Sequence, residues 1–167
     1  MKPPLSAVLA LGLPLVLTAC GFQPLYGERG AGASASAALQ DMDIAPQTTR
    51  TGQLVRNELL SGVAPAAARG GRYILDFTTT EKEETAIVTF KSGARQKRYI
   101  LNVSYTLTRR GSSKVLTSGK TFAEASYTIT RQPAADMQAR IHAAETAARV
   151  AAGDIRTRLA AWFSARG

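Results

Sequence analysis

Few side chains in this sequence are reactive. Its 167 residues hold one thiol, Cys20, and one imidazole, His142. Glu81, Glu83 and Glu84 crowd into four positions, and eight cations (Lys91, Arg95, Lys97, Arg98, Arg109, Arg110, Lys114 and Lys120) fall between Thr85 and Ala123 with no carboxylate among them. Catalysis calls for a nucleophile with a base, paired acids, or metal ligands at a workable spacing. His142 stands beside Ile141 in a helical pattern and lacks companion ligands for a metal. Gly30, Gly32, Gly70 and Gly71 lack the strand-to-helix setting of a phosphate-binding loop. The glutamates read as a solvated turn. The reading is of a protein that is not an enzyme, with no catalytic residue, metal or cofactor beyond a lipid on its cysteine.

Cys20 is informative through what precedes it. Lys2 supplies a positive charge, and an apolar run from Leu5 to Leu17 follows, interrupted by Gly12 and Pro14. This is the n-region and h-region of a signal peptide. A bilayer-spanning helix takes about 20 apolar residues, and this run has 13. Leu17-Thr18-Ala19-Cys20 then resembles the lipobox of bacterial lipoproteins, in which the thiol takes a diacylglycerol by thioether and the freed amine is acylated. A lone cysteine forms no internal disulfide, and an exposed free thiol in an oxidising compartment is a liability. Several acyl chains, at about 0.8 kcal/mol per buried CH₂, hold a protein on a membrane firmly. Gly21 stands where inner-membrane lipoproteins of enteric type carry Asp, which favours the outer membrane. Residues 1–19 are thus expected to be cleaved, 20–38 to form the lipidated N-terminus and a flexible Gly/Ala/Ser tether, and 39–167 to form one domain.

The elements that position the cations follow from hydrophobic period. Met42 and Ile44, ended by Pro46, read as a short edge strand. Thr48 to Ser61 reads as a helix with Leu54, Val55, Leu59 and Leu60 on or near one face and Gly62 as its stop. After an Ala/Gly/Pro linker the period becomes two: Tyr73, Leu75, Phe77 and Thr79 share a face, and Ala86, Val88 and Phe90 continue beyond a turn or bulge at Glu81 to Glu84. Tyr99, Leu101, Val103, Tyr105 and Leu107 alternate with Arg98, Asn102, Ser104, Thr106 and Thr108 in the clearest strand, so one face packs and the other is wet. Arg110 to Ser113 turns the chain into a strand from Lys114 to Thr130, with Gly119 a plausible bulge. A helix from about Pro133 to Phe163 carries a stripe of Met137, Ile141, Ala144, Ala148, Ala151, Ile155, Leu159 and Trp162. Asp136 with Arg140, Glu145 with Arg149, and Asp154 with Arg158 are spaced for i,i+4 pairing. The expected fold class is α+β, with two helices on one face of a mainly antiparallel four-stranded sheet, in the order β-α-β-β-β-α.

Charge distribution bears on partners. The chain has 21 Lys and Arg against 12 Asp and Glu, and outside residues 85–123 the mature sequence is balanced. Lys91, Arg95, Lys97 and Arg98 are expected in one interstrand loop, with Arg109, Arg110 and Lys114 at the next turn and therefore at the other end of the sheet. Basic turns protect strands from aggregation, but a block without acids favours an anionic partner. A secreted, lipid-anchored protein does not ordinarily meet nucleic acid. Phosphorylated lipid is the better match, since its phosphates suit Arg bidentately and Lys as a point charge.

The opening Cys20-Gly21-Phe22-Gln23-Pro24-Leu25-Tyr26-Gly27, the helical segment Arg50 to Leu59, Ser126-Tyr127, and Ile155 to Ala160 together resemble the LPS-assembly lipoprotein family LptE (RlpB) in its alphaproteobacterial form. The resemblance covers nearly all of the mature chain. It implies two helices on a four-stranded sheet, an outer-membrane site facing the periplasm and a barrel lumen, a complex with the β-barrel translocon LptD, a part in that barrel's assembly, and binding of lipopolysaccharide through basic residues. On this chain that last role falls on the eight cations as a group. A periplasm-facing carrier or scaffold for anionic lipid, with no barrel partner, is the alternative.

Overall fold

The computed structural model describes residues 31–62, 70–89 and 95–166. Along them run α1 (Ala31–Gln40), β1 (Met42–Ile44), α2 (Arg50–Ser61), β2 (Tyr73–Thr89), β3 (Arg95–Arg109), β4 (Val115–Ile129) and α3 (Pro133–Ser164). The strands form one sheet in sequence order, β1 parallel to β2 and the rest antiparallel. The α+β class and the placement of helices over one sheet face agree with the sequence reading. The sheet is mainly antiparallel, as expected, with β1 parallel at its edge, and a third helix that was not expected precedes β1.

That helix, α1, lies in the stretch expected to be tether, and it replaces the tether over residues 31–38. Alanine is the best helix former, and Ala35 and Leu39 are buried in the core shared with α3. Alanine-rich composition argued for little burial, but the partner is itself an alanine-rich helix that accepts a close neighbour. Cys20, the signal peptide, Lys91 and Phe90 lie outside the described residues.

In α2, Thr49 is the N-cap, its Oγ1 accepting from Gly52 N at 3.0 Å, which satisfies one of the orphan donors of the first turn. Val55 and Leu59 are fully buried. At its far end Arg156 of α3 donates to Glu58 O at 3.0 Å. A Cβ on Gly62 would collide with that guanidinium, so a glycine here leaves room for a cation on the last carbonyls.

The sheet departs from expectation in its longest strand. Glu81 to Glu84 form no turn; β2 runs unbroken through them, with its irregularity between Thr85 and Thr89. Cross-strand partners make this possible. Glu84 stands opposite Arg98 and Glu83 opposite Tyr99, so the carboxylates meet cations and phenols instead of each other. Arg95, Lys97 and Arg98 accordingly lie within β3 and not in a loop. Gly119 lies in regular register opposite Tyr105, and the irregularity falls between Leu107 and Thr108. Glycine is needed at 119 because a Cβ would stand 2.6 Å from the Tyr105 hydroxyl.

The long helix α3 seats on β3 and β4 through Ala144, Ala147, Ala148, Ala151 and Ala152, followed by Ile155, Leu159 and Phe163. Met137, expected on this stripe, is 56% exposed, because the stripe engages the core only from Ala143 onward. Of the three i,i+4 pairs, Asp154 with Arg158 forms at 2.7 Å. The others find tertiary partners: Asp136 accepts from Thr130 N at 2.7 Å, Arg140 reaches Glu83, Arg149 reaches Glu58, and Glu145 meets His142.

Ala151 is wholly buried, so Ala151→Leu should overpack the interface and cost about 1–3 kcal/mol in urea unfolding. Val150→Ala, at a position 52% exposed, should stay within about 0.5 kcal/mol.

Candidate functional site

Strand polarity separates the cations before any ligand is considered. Arg95 begins β3 and Arg109 ends it, and fourteen steps of about 3.3 Å put them roughly 46 Å apart. No compact anion spans that distance. Each end must be read alone.

At the Arg95 end the sheet's helix-facing side is polar. Glu83 accepts from Arg140 Nε, from Tyr127 Oη at 2.9 Å and from Lys97 Nζ at 3.4 Å. Glu81 accepts from the Tyr99 hydroxyl and from Thr51 Oγ1 at 3.2 Å, while the Arg140 guanidinium lies 5.9 Å from the Tyr99 ring centre. Burial alone would raise the Glu83 carboxyl, but the bonds from Arg140, Tyr127 and Lys97 outweigh it and hold the group below the usual carboxylate range. Burial, reinforced by the neighbouring carboxylates, pushes Tyr99 and Tyr127 up to about 12. The donors here are consumed within the protein, so this network fastens α2 and α3 to the sheet.

The wet face consumes another cation. Arg98 Nη2 donates to Glu84 at 3.2 Å, and its Nη1 to Glu124 at 3.5 Å. The block of residues 85–123 lacks acids in sequence, but Glu83, Glu84 and Glu124 flank it and fold back across it. Lys120 lies midway along the edge strand β4 on this face, opposite Ser104.

The turn end differs. Arg110 is held by Asp43 at 2.7 Å and by Gly71 O at 2.8 Å. Arg109 and Lys114 have no ion pair among the described residues, and both line a groove of about 600 Å³ with Arg72 and Arg166. Its floor is apolar. Tyr73 and Phe163 meet edge to face at 5.0 Å, as do Phe163 and Trp162, with Val115 and Leu116 alongside. Arg166 covers the Trp162 ring at 4.3 Å, a cation–π contact, and Arg72 pairs with Asp41. Cations around an aromatic floor suit an anionic group that carries hydrocarbon. Among the described residues no group of His, Cys, Asp and Glu is placed to hold a metal.

A profile of the lipopolysaccharide-assembly family LptE matches residues 39–159. The chain belongs to the LptE family. Among solved structures, the LptE chain resembles a lipoprotein from Caulobacter crescentus at 21% identity, covering 80% of this chain and 97% of that one, with a TM-score of 0.69. A minor lipoprotein from Acinetobacter baumannii aligns at 14% identity over 72% of this chain and 88% of that one, with a TM-score of 0.50. These likenesses establish a common fold. No curated protein matches the sequence. LptE membership makes this a lipoprotein of lipopolysaccharide assembly, as the sequence resemblance implied.

Of the eight cations singled out in sequence, the structure brings Arg109 and Lys114 into the groove, places Arg110 beside it in a structural pair, and sets Arg95 and Lys97 at the opposite end. Arg72, Trp162, Phe163 and Arg166 were missed as site residues. Arg72 precedes β2 and Arg166 follows α3, so only tertiary folding makes them neighbours of Arg109. The one signal in sequence was that cations mark the ends of elements.

Glu83→Gln should cost about 1–2 kcal/mol at neutral pH, as charge-assisted hydrogen bonds weaken. Because the folded carboxyl titrates below its ordinary value, its contribution is present above about pH 4.5 and is lost as pH falls through the lowered value. Urea midpoints from pH 7 to 3 should therefore fall more gently in Glu83→Gln than in wild type. An equal acid slope in both would show that the carboxyl contributes nothing.

Proposed function

We propose that this protein is a lipid-anchored outer-membrane component that forms a complex with the β-barrel translocon LptD, aids that barrel's assembly, and binds lipopolysaccharide on its way to the cell surface. The observation carrying the binding part is the turn-end groove, where Arg109 and Lys114, free of ion pairs among the described residues, stand over an aromatic floor. Phosphate on a lipid would be held by the cations, with the adjoining hydrocarbon against Tyr73, Trp162 and Phe163. Lys120, Arg95 and Lys97 lie too far away to share that headgroup, and Lys91 lies outside the described residues.

Anchoring rests on Cys20 and the signal peptide before it. No helix among the described residues is long and apolar enough to cross a membrane, and the reading places the attachment in acylation of Cys20. The described groove favours a barrel-docked protein over a carrier of whole lipids. A volume of about 600 Å³ suits one small-molecule-sized group and cannot enclose a lipid with many acyl chains.

Two measurements test this. Arg109→Glu with Lys114→Glu should weaken binding of purified lipopolysaccharide tenfold or more at low salt, with stability within about 1 kcal/mol of wild type. Lys97→Glu with Arg98→Glu should instead lower stability, since both cations hold glutamates; unchanged affinity in the first variant would remove the groove from the binding site. Affinity purification of the lipidated chain from detergent-solubilised outer membrane should recover a large β-barrel at one to one, and Cys20→Ser should release the protein to the soluble fraction. Recovery of lipid without a barrel would favour the carrier.

A further inference from the structure

The sheet face turned away from the helices changes character along its length. Toward the Arg95 end its charges are paired, with Arg98 holding Glu84 and Glu124. Nearer the turn end it carries short polar side chains in cross-strand rows. Asp76, Thr106 and Ser118 form one row, Thr78, Ser104 and Lys120 the next, and Thr80, Asn102 and Phe122 a third. All are exposed. Among the described residues, the side-chain bonds that β2, β3 and β4 make on this face belong to Lys82, Glu84, Arg98, Glu124 and Thr108, and to none of these rows. Between the first two rows runs a row of Phe77, Tyr105 and Gly119. The Phe77 and Tyr105 side chains are buried on the helix side and glycine has none, so the wet side of that row is bare backbone. It floors a depression of about 490 Å³ whose walls are the first two rows.

These residue types point to one ligand chemistry. A hydroxyl both donates and accepts, so a field of Ser and Thr matches a ligand whose own surface is hydroxyl groups. Asp76 accepts from neighbouring hydroxyls, and Lys120 donates to ring or acidic oxygens. Phe122, 66% exposed, offers an aromatic ring one row beyond the depression, and the electron-rich face of such a ring receives the C–H side of a sugar. A protein partner fits less well, because the cores of protein interfaces are depleted in Lys, Asp and Ser. An acyl chain fits less well still, since Phe122 is the one large apolar side chain in the three rows. Those rows span about 13 Å along β3, room for a short oligosaccharide. Thr106 stands about 10 Å from Arg109 along the same strand, so a phosphorylated lipid in the turn-end groove brings its sugars within reach of this face.

We propose that the wet face of β2, β3 and β4 between Asp76 and Phe122 is a saccharide-binding site, and that its ligand is the sugar portion of the lipopolysaccharide whose phosphates the groove takes. The assignment rests on the lipopolysaccharide reading and adds a second contact to it. Cations hold the headgroup at the end of the sheet, while hydroxyls and Phe122 hold the oligosaccharide along its open face. Hydrogen bonds exchanged for those of water give little net affinity, so the contact is weak, as suits a ligand in transit.

The probe is the lipid-free oligosaccharide released from purified lipopolysaccharide by mild acid, added to the full lipidated chain in detergent. Saturation transfer from the protein should reach its ring protons. Phe122→Ala should weaken binding about fivefold, and Phe122→Tyr should retain it. Ser104→Gln, which lays a longer side chain over the bare row, should weaken it by a similar factor. Phe122 and Ser104 are exposed, so urea midpoints should not move. Arg109→Glu with Lys114→Glu should weaken binding of intact lipopolysaccharide and leave that of the oligosaccharide unchanged. Intact lipopolysaccharide bound with no transfer to the oligosaccharide, or equal transfer in wild type and Phe122→Ala, would overturn the saccharide site and leave the groove standing. Oligosaccharide bound without intact lipopolysaccharide would support the site and overturn the groove. In outer membranes a photo-reactive residue at position 106 should capture lipopolysaccharide; capture of the barrel alone would assign the face to a protein and overturn the proposal.

Discussion

The fold depends on how closely α3 can approach the sheet. Four consecutive turns of this helix present alanines, and Ala147, Ala148, Ala151 and Ala152 are fully buried between the helix and its neighbours. Small side chains bring backbones together, and the larger residues then come from the sheet, where Tyr99, Leu101, Val103 and Leu107 are likewise buried. Large facing small is what allows a core of native density. The same short approach lets α1, itself alanine-rich, lie against α3. A bulkier stripe would lift α3, uncover β4 and leave α1 without a seat.

Close seating also dictates the fate of charge. With α3 near the sheet, Arg140 reaches Glu83 on β2 and Arg149 reaches Glu58 on α2, so cations that are spaced for pairing within their own helix are taken by tertiary partners. A helix pair at i,i+4 contributes only a few tenths of a kcal/mol, whereas the bond from Arg140 to the part-buried Glu83 carboxylate contributes about 1–2 kcal/mol once the exposure of the guanidinium is discounted. The stronger claim prevails. The phenols of Tyr99 and Tyr127 complete the shell around two glutamates that would otherwise be costly on the face of a sheet turned toward helices.

Those pairs take up part of the positive charge that the sequence concentrates in residues 85–123. Lys97, Arg98 and Arg110 are occupied, and the cations left without partners at the turn end surround an aromatic floor. In this chain Lys97 and Arg140 at one end of the sheet hold the glutamates beneath the helices, whereas Arg109 and Lys114 at the other have no ion pair among the described residues.

The sequence alone determined the class of fold, the last two strands of the meander and the extent of the last helix within a residue or two, because alternation and helical period are local properties, and its motifs carried the resemblance to the family. It also determined that an excess of positive charge lies in residues 85–123. Which of those cations are free was decided only by tertiary structure, because Glu83, Glu84, Glu124 and Asp43 lie outside that block and meet it by strand pairing and loop contact. The strand through Glu81 to Glu84 was illegible for the same reason: four charged residues in a row read as a turn until Arg98, Lys97, Tyr99 and Arg140 stand opposite them. Helix α1 was hidden because its few apolar atoms matter only against another helix of equally small side chains, and the groove because Arg72, Arg109, Lys114 and Arg166 come from four separate element ends. Periodicity is written along the chain, whereas the partner of a charge is set by which strand lies next to it.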